Sequence, residues 1–285
     1  MPGWVTPAVI GGGLLVFALL ETLRPLRRRR ESKLRRAGRN VAMAGVSFAV
    51  VELLQIPILL PISHRAAEGS LGLLGLLGAR GLLRSAAAIL LLDYTLWHWH
   101  RVNHRVSFFW RFHSVHHVDR DMDASTALRF HFGELGMSVG FRALQVLAIG
   151  ADPVSVAVYQ TLLFASIFFH HSNTRLPIRF ERLLVKILVT PRMHGIHHSD
   201  YRNETDSNWS SLFSLWDYLH GTILLDVPQQ SITIGVPAYD DPKKVTLGRL
   251  FWMPFQAHRN GDWTRADKSA SMRRHTAAEK AMLSF

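Results

Sequence analysis

The chain has 285 residues, 48% of them hydrophobic, and it carries 12 more basic than acidic side chains. It contains no cysteine, which excludes disulfides, iron–sulfur clusters, thiolate-ligated haem and cysteine-ligated zinc. A nucleic-acid-binding protein shares the positive charge but has no use for long apolar runs, so the composition favours a membrane protein with basic flanks and no nucleic-acid partner.

Four apolar regions are long enough to enter a bilayer, whose core needs about 20 apolar residues in a helix. Three of them predict single spans, at about residues 4–23, 41–62 and 82–97. The fourth, at about 135–169, is broken by Gly and Pro at 149–153, which predicts two helices in a hairpin. The expected fold is an all-α integral membrane protein with about four transmembrane helices, the last pair a hairpin.

The segment 24–39 carries nine basic residues, and the positive-inside rule places it in the cytoplasm. Counting spans from there puts the end of the third run on the cytoplasmic side as well. The first run is expected to stay as an anchor, because no basic segment precedes it and no small-residue cleavage site follows. Anionic lipid headgroups are the preferred partner of the basic segment, and an acidic redox protein is the alternative.

Histidines are concentrated after the third run, at spacings that suit one face of a helix. His100 and His104 are four residues apart, so a helix stacks both rings on one side. His170 and His171 end the apolar hairpin. An HxxHH motif occurs twice, as His113, His116 and His117, and as His194, His197 and His198.

These motifs predict a metal centre. Crowded imidazoles without partners lose hydration on burial and repel one another when protonated, and a divalent cation removes both difficulties. Neutral imidazole suits iron, zinc, copper and nickel better than magnesium or calcium. About eight or nine ligands exceed what one ion accepts, so the set predicts two ions.

The motifs also resemble a known family. "DYTLWHWHRVNHRVSFFWRFHSVHHVDRDMDASTALRFHFGE", "HHSNTRLP", "TPRMHGIHHSDYRNETDSNWS" and "LWDYLHGT" are similar to the fatty acid hydroxylase and sterol desaturase superfamily of integral-membrane di-iron enzymes. The resemblance covers about residues 90–225. It implies two iron ions, replaceable by zinc, in a cytosolic histidine-rich helical cap. The implied metal ligands are His100, His104, His113, His116, His117, His171, His194, His197 and His198.

The chain departs from the family in one group of ligands. Better-known members have a second HxxxH between the two HxxHH motifs, whereas this chain has only His170 and His171, followed by Ser172 and Asn173. The resemblance therefore prefers His171 but leaves His170 open. His131, in "RFH", is expected to lie behind the ligands or to face the substrate.

Other polar side chains are candidates for orienting the ligand rings. Asp93 is an ionisable group near the end of the third run, and we expect it to accept the second N–H of a ligand histidine. Asp206 and Asn208 are candidates for the same role at the last cluster, with a helix cap or a turn as the alternative. Asn173 is a further candidate beside His171.

The resemblance divides the chain into a transmembrane anchor region at 1–85, a catalytic domain at 86–225 with a membrane hairpin at about 135–170, and a cytosolic or interfacial tail at 226–285. It implies a membrane-bound oxygenase that uses dioxygen to hydroxylate or desaturate a lipid. Electrons must come from a reductase, ferredoxin or cytochrome, since neither a GxGxxG after a strand nor a cysteine cluster is present.

Two other functions remain alternatives. A zinc-dependent membrane hydrolase or isomerase would use the same imidazoles, but it usually needs three ligands and an acid/base carboxylate. A non-enzymatic metal-binding membrane protein would carry its ligands within the spans, along a route across the membrane. The lipid stays open among sterols, fatty acids, sphingoid bases, ether lipids and carotenoids.

Overall fold

The computed structural model describes residues 5–68 and 71–256, so the last part of the predicted tail lies outside the described residues. Within these ranges the regular structure is helical, with three isolated antiparallel bridges, which confirms the all-α class. The division of the chain at residues 85 and 225 stays a prediction. The helices are α1 Val5–Leu23, α2 Lys33–Ala67, α3 Gly72–Leu76, α4 Gly81–Arg105, α5 Ser107–His117, α6 Phe132–Ile149, α7 Pro153–His171, α8 Ile178–Leu184, α9 Pro191–His197, α10 Arg202–Thr205, α11 Leu215–Leu219 and α12 Leu247–Trp252.

Among the described residues, three helical segments are long and apolar enough to cross a membrane, namely Lys33–Leu76, Phe132–Ile149 and Pro153–His171. The apolar stretch Gly11–Leu23 of α1 belongs to the shorter class of 10–17 residues. The third predicted run lies in α4, which is not among the three because Arg84, Asp93 and His98 lower its mean hydropathy. The count of four spans and the cytoplasmic side of the histidines therefore stay predictions.

The apolar region between 135 and 169 is broken where the sequence predicts. α6 ends at Gly150, whose φ of 75° is left-handed. Asp152 caps α7 by accepting hydrogen bonds from the backbone N–H groups of Val154 and Ser155, both at 3.0 Å. α6 packs mainly on α2, whereas α7 packs mainly on α1 and α4. The predicted packing of these two helices as a hairpin is therefore not confirmed.

The turn between α6 and α7 touches the start of α3. Gly72 and Gly150 both have positive φ angles, of 71° and 75°. A Cβ atom on Gly72 would overlap the backbone of Gly150, and one on Gly150 would overlap the carbonyl of Leu71. Only glycine permits this approach, which joins the end of α6 to the loop between α2 and α4.

The chain after α1 is bonded to the residues that follow α7. Pro25 and Thr174 form an antiparallel bridge, and the Leu26 N–H donates to the Asn173 carbonyl at 2.8 Å. The Asn173 side chain accepts from the Arg27 N–H at 2.8 Å and donates to the Arg27 carbonyl at 2.9 Å. Asn173 therefore joins two backbone segments and does not orient a histidine ring through these bonds.

A buried ion cluster joins α2 to the loop after α5. The Arg36 guanidinium is 1% exposed and donates to Asp119 at 2.7 Å and to the Asp121 carbonyl at 2.7 Å. It also forms an ion pair with Asp123. The expectation that the whole basic segment 24–39 meets lipid headgroups is therefore wrong for Arg36. This residue lies in α2, which begins at Lys33, and the carboxylates compensate its charge inside the protein.

This cluster generates a stability prediction. Replacing Arg36 with Met leaves buried carboxylates without their cation, which should lower the free energy of unfolding by about 3–5 kcal/mol. Denaturant unfolding of the protein in maltoside micelles measures the change. Arg35→Met is the control, since Arg35 is exposed in the same turn and its loss should cost no more than about 0.5 kcal/mol. Equal stability of the two variants would contradict a structural role of the cluster.

Candidate metal centre

Nine histidines from α4, α5, α7 and the α9 region meet in two adjacent groups. Within each group the candidate ligand nitrogens all lie within 4.8 Å of one another. The groups adjoin, since the rings of His117 and His198 stack with centroids 4.3 Å apart. The first group is His100, His104, His113, His117 and His197, and the second is His116, His171, His194 and His198.

Helix geometry explains how each HxxHH motif is divided. Residues four apart on a helix lie on one side of it. The residue three positions after the first points slightly away from that side. In α5 the pair His113 and His117 enters the first group, while His116 enters the second. In the α9 region the pair His194 and His198 enters the second group, while His197 enters the first. Each motif therefore serves both groups, which differs from the single stripe that spacing alone suggests.

Backbone carbonyls fix the orientation of several rings. A carbonyl oxygen only accepts, so the Nδ1 atom facing it carries the hydrogen and Nε2 keeps a lone pair. These Nε2 atoms face the group centres. The Nδ1 atoms of His100, His197 and His171 lie 2.8, 2.8 and 2.9 Å from the carbonyl oxygens of Trp209, Ser207 and Ile167.

A carboxylate fixes the orientation of the His113 ring in the same way. The Glu134 Oε1 atom lies 2.7 Å from the His113 Nδ1, and both side chains are buried. Glu134 stands in the first turn of α6, where the helix dipole favours a negative charge. The sequence motifs did not indicate this residue, although a lone carboxylate at the start of an apolar run is the kind of group that needs a partner.

The second group brings lone pairs close together. The Nε2 atom of His171 lies 3.0 Å from the Nε2 atom of His116 and 3.0 Å from that of His194. The Nδ1 atoms of His171 and His116 both face carbonyl oxygens, so the facing Nε2 atoms present lone pairs to each other. A cation between them converts this repulsion into attraction. Two nitrogens that bind one ion at about 2.1 Å and at right angles lie about 3.0 Å apart.

The first group contains orphaned acceptors. The Nε2 atoms of His104, His113, His117 and His197 are buried and have no hydrogen-bond partner. Each buried polar atom left unsatisfied costs about 1–3 kcal/mol, and here the orphaned atoms point toward one another. Neutral nitrogen donors of this kind fit iron, zinc, copper or nickel. The five nitrogens of this group exceed the four ligands of a tetrahedral zinc site.

Burial keeps the rings neutral. Loss of hydration lowers the pKa of His197 to about 3. The same cause, followed by repulsion between neighbouring rings, holds the pKa of His117 and His198 well below 6.5. Neutral imidazole is the form that binds a metal, so at neutral pH these three rings do not have to lose a proton first.

His170 differs from the nine. Its ring packs 4.1 Å from that of His194, but it belongs to neither group of converging nitrogens. Its Nδ1 atom is buried without a hydrogen-bond partner. The structure therefore brings His171, and not His170, into the second group.

Asp93 does not meet a histidine of either group. It accepts hydrogen bonds from the Trp216 Nε1 at 2.7 Å, the Phe213 N–H at 3.0 Å and the Tyr159 hydroxyl at 3.2 Å. The expected role in orienting a ligand is wrong because Asp93 stands two helical turns before His100, about 10 Å along the axis. It ties α4 to α7 and to the loop before α11.

Asp217, which the sequence motifs also did not indicate, supports the histidine groups more directly than Asp93 does. It accepts from the Trp97 Nε1 at 3.0 Å and from the backbone N–H groups of Trp209 and Ser210 at 2.9 and 2.8 Å. It thereby fixes the residue whose carbonyl orients His100.

The remaining candidates serve local structure. Asp206 lies 3.8 Å from Arg105 and 3.7 Å from Arg202, so it pairs with arginines and not with a ring of either group. Asn208 has a left-handed φ of 54° and its side chain donates to the carbonyls of Met193 and Leu224, which supports the turn alternative.

His131 caps α6. Its Nδ1 atom accepts from the Gly133 N–H at 3.0 Å, and its Nε2 atom lies 3.1 Å from the Phe251 carbonyl. Both ring nitrogens are therefore engaged away from the two groups. Among the described residues His131 is outside both sets of converging nitrogens.

Similarity to known proteins is found in the same part of the chain as the two histidine groups. Residues 85–222 match the fatty acid hydroxylase family. Human alkylglycerol monooxygenase is 30% identical over 176 residues, covering 60% of this chain and 38% of that protein. The ornithine lipid hydroxylase OlsE of Rhizobium tropici is 27% identical over 149 residues, covering 52% and 44%. A cholesterol 25-hydroxylase-like protein of Danio rerio is 30% identical over 142 residues, covering 48% and 54%.

The aligned part of the chain thus spans less than two thirds of the length of each of these relatives. No solved structure matches the chain significantly. The family match includes His100 and His104 as well as both HxxHH motifs, and it confirms the resemblance seen in the sequence. Residues 85–222, a little under half of the chain, are thus similar to the fatty acid hydroxylase family.

Proposed function

We propose that this chain is a membrane-bound oxygenase that uses dioxygen and external electrons to hydroxylate a lipid. The observation that carries the proposal is the pair of adjacent histidine groups, with five and four converging nitrogens. Two neighbouring ions suit the activation of dioxygen, and the donor set is entirely imidazole. Desaturation begins with the same hydrogen abstraction and is the alternative reaction to hydroxylation.

Two irons held by the nine histidines would supply the activation of dioxygen and the two-electron chemistry. The chain itself fixes the geometry and excludes water. Carbonyl oxygens and Glu134 hold four of the rings by their Nδ1 atoms, which leaves the Nε2 atoms of these rings free to bind metal. Seven of the nine rings are 3% exposed or less, which protects an oxidising centre from wasteful side reactions.

The substrate proposed is a lipid that enters from the bilayer. Apolar side chains on α6 and α7 remain largely exposed, including Leu144 at 63% and Val154 at 55%. Two of the relatives are named as hydroxylases of lipids and one as an alkylglycerol monooxygenase, which favours hydroxylation over desaturation. We further propose that the histidine groups face the cytoplasm and receive electrons from a reductase, ferredoxin or cytochrome.

The test measures metal and oxygen together. The purified protein should contain about two iron ions per chain, and lipid extracts should stimulate oxygen consumption with a product that gains one hydroxyl or one double bond. His116→Ala and His197→Ala remove one nitrogen from each group. Both variants should lose bound iron and all lipid oxidation while still inserting into membranes.

His64→Ala is the control, because His64 is exposed on α2 and belongs to neither group. It should keep full metal content and activity. One catalytic zinc with hydrolysis would favour the hydrolase, and metal flux without turnover would favour a transporter. Either result, or full activity of both cluster variants, would overturn the proposal.

The second group provides a test that distinguishes His171 from His170. His171→Ala removes a nitrogen that lies 3.0 Å from two other Nε2 atoms, so it should lower bound iron. His170→Ala should leave iron content unchanged, since this ring lies outside both groups. Elemental analysis of the two variants decides the matter. Loss of iron in His170→Ala with retention in His171→Ala would reverse the assignment.

Glu134 provides a test of the carboxylate behind His113. Glu134→Ala removes the Nδ1 partner and should weaken iron binding by about 10–100-fold. Glu134→Gln keeps an acceptor but loses the charge, so binding should weaken less while the reduction potential of the centre rises. Iron titration and redox titration measure the two effects. Glu68→Gln is the exposed control, and an unchanged potential in Glu134→Gln would contradict the role of the charge.

A further inference from the structure

A cavity of about 320 Å³ opens between the segment after α1, the loop after α5 and the residues near Ile234. Its size falls at the lower end of the range for small-ligand pockets, about 300–1,000 Å³. Its wall is unusually basic, and one carboxylate accompanies the cations. The charged residues of the wall are Arg27, Arg28, Arg29, Arg30, Arg120 and Asp121.

The acidic groups near the cavity already have hydrogen-bond or ion-pair partners within the protein. Asp121 accepts from the backbone N–H groups of Arg30 and Glu31 at distances between 2.7 and 2.9 Å. The Arg30 side chain pairs with Asp240 at 2.6 Å, and Arg120 pairs with Glu31 at 3.0 Å. These ion pairs balance two of the five arginines.

The other three arginines have no such balance. Within the described part of the chain, Arg27, Arg28 and Arg29 form no ion pair. Arg29 donates only to the carbonyl of Glu21, at 3.1 Å. Arg28 and Arg29 are exposed at the mouth of the cavity. An anion bound at the cavity offsets these uncompensated positive charges.

Arg27 is held rigidly in the wall. Its Nη2 atom donates to the Pro191 carbonyl at 2.9 Å and also to the Gln229 side chain. The guanidinium lies against Gly195, where any Cβ atom would overlap it. Its Nε and Nη1 atoms are buried without acceptors. Burial lowers the pKa of Arg27 to about 9, so the group stays charged at neutral pH.

The cavity lies at the ends of two apolar helices, which is where we expect lipid phosphates. α1 ends at Leu23 and α7 ends at His171, and the segments that follow them meet at the bridge between Pro25 and Thr174. The cavity therefore lies where two apolar helices stop, beside the Asn173 that joins these segments. The planar fork of guanidinium binds phosphate oxygens in pairs, and a phosphate has enough oxygens to contact more than one guanidinium.

We propose that this cavity binds a phosphate group, supplied by a phospholipid headgroup or by a soluble phosphate. Arg28 and Arg29 engage the oxygens at the mouth, and Arg27 provides the fixed charge in the wall. The cavity lining contains none of the nine histidines of the two groups.

The test uses the full chain, purified in maltoside micelles and stripped of lipid. Calorimetry measures the affinity for dioctanoyl phosphatidic acid, with dioctanoylglycerol as the phosphate-free match. Arg28→Gln/Arg29→Gln should weaken binding of the phosphatidic acid by about tenfold or more, which is about 1.4 kcal/mol. Arg175→Gln/Arg179→Gln removes the same charge from exposed positions outside the cavity and should change affinity by less than about twofold.

Inorganic phosphate at constant ionic strength separates the two sources. If it competes with the phosphatidic acid, the site recognises phosphate from either source. If it does not compete while the phosphatidic acid still depends on Arg28 and Arg29, the ligand is the lipid headgroup. The proposal is overturned if neither ligand binds, if dioctanoylglycerol binds equally well, or if both double variants weaken binding to the same extent.

Discussion

The crowding of imidazole lone pairs in a dry interior is the constraint on which the rest of the structure depends. Nitrogens that face each other at 3.0 Å, with their other nitrogens directed at carbonyl oxygens, repel unless a cation lies between them. Four Nε2 atoms of the first group are buried without any partner. A divalent cation is the partner that would satisfy such nitrogens.

The two groups are built as one unit. Because each HxxHH motif sends one residue to one group and two to the other, neither group forms without both α5 and the α9 region. The supports are shared in the same way. The carbonyls of Ser207 and Trp209 hold rings of the first group, and Asp217 holds the backbone at Trp209. A change in one of these helices is therefore expected to affect both histidine groups.

The basic segment after α1 combines structural and surface roles. Arg36 is enclosed by aspartates of the loop that follows the first HxxHH motif, so it fixes the end of α5 from behind. Arg27 reaches Gly195, in the middle of the second motif. Arg28 and Arg29 stay exposed. The same stretch of charge thus fastens the N-terminal helices to the metal centre and leaves cations for an outside ligand.

The sequence by itself determined the helical class, the break between α6 and α7, and eight of the nine histidines that meet. Apolar runs and i, i+4 spacings are local properties, which a helix converts directly into a face. Only the tertiary structure decided how His113 and His116 separate into different groups, that His171 and not His170 converges, and that Glu134 and Asp217 support the rings. It also turned Asp93 toward Trp216 and buried Arg36. These outcomes depend on contacts between distant segments and on backbone carbonyls, which carry no side-chain signature and so leave no pattern in the sequence.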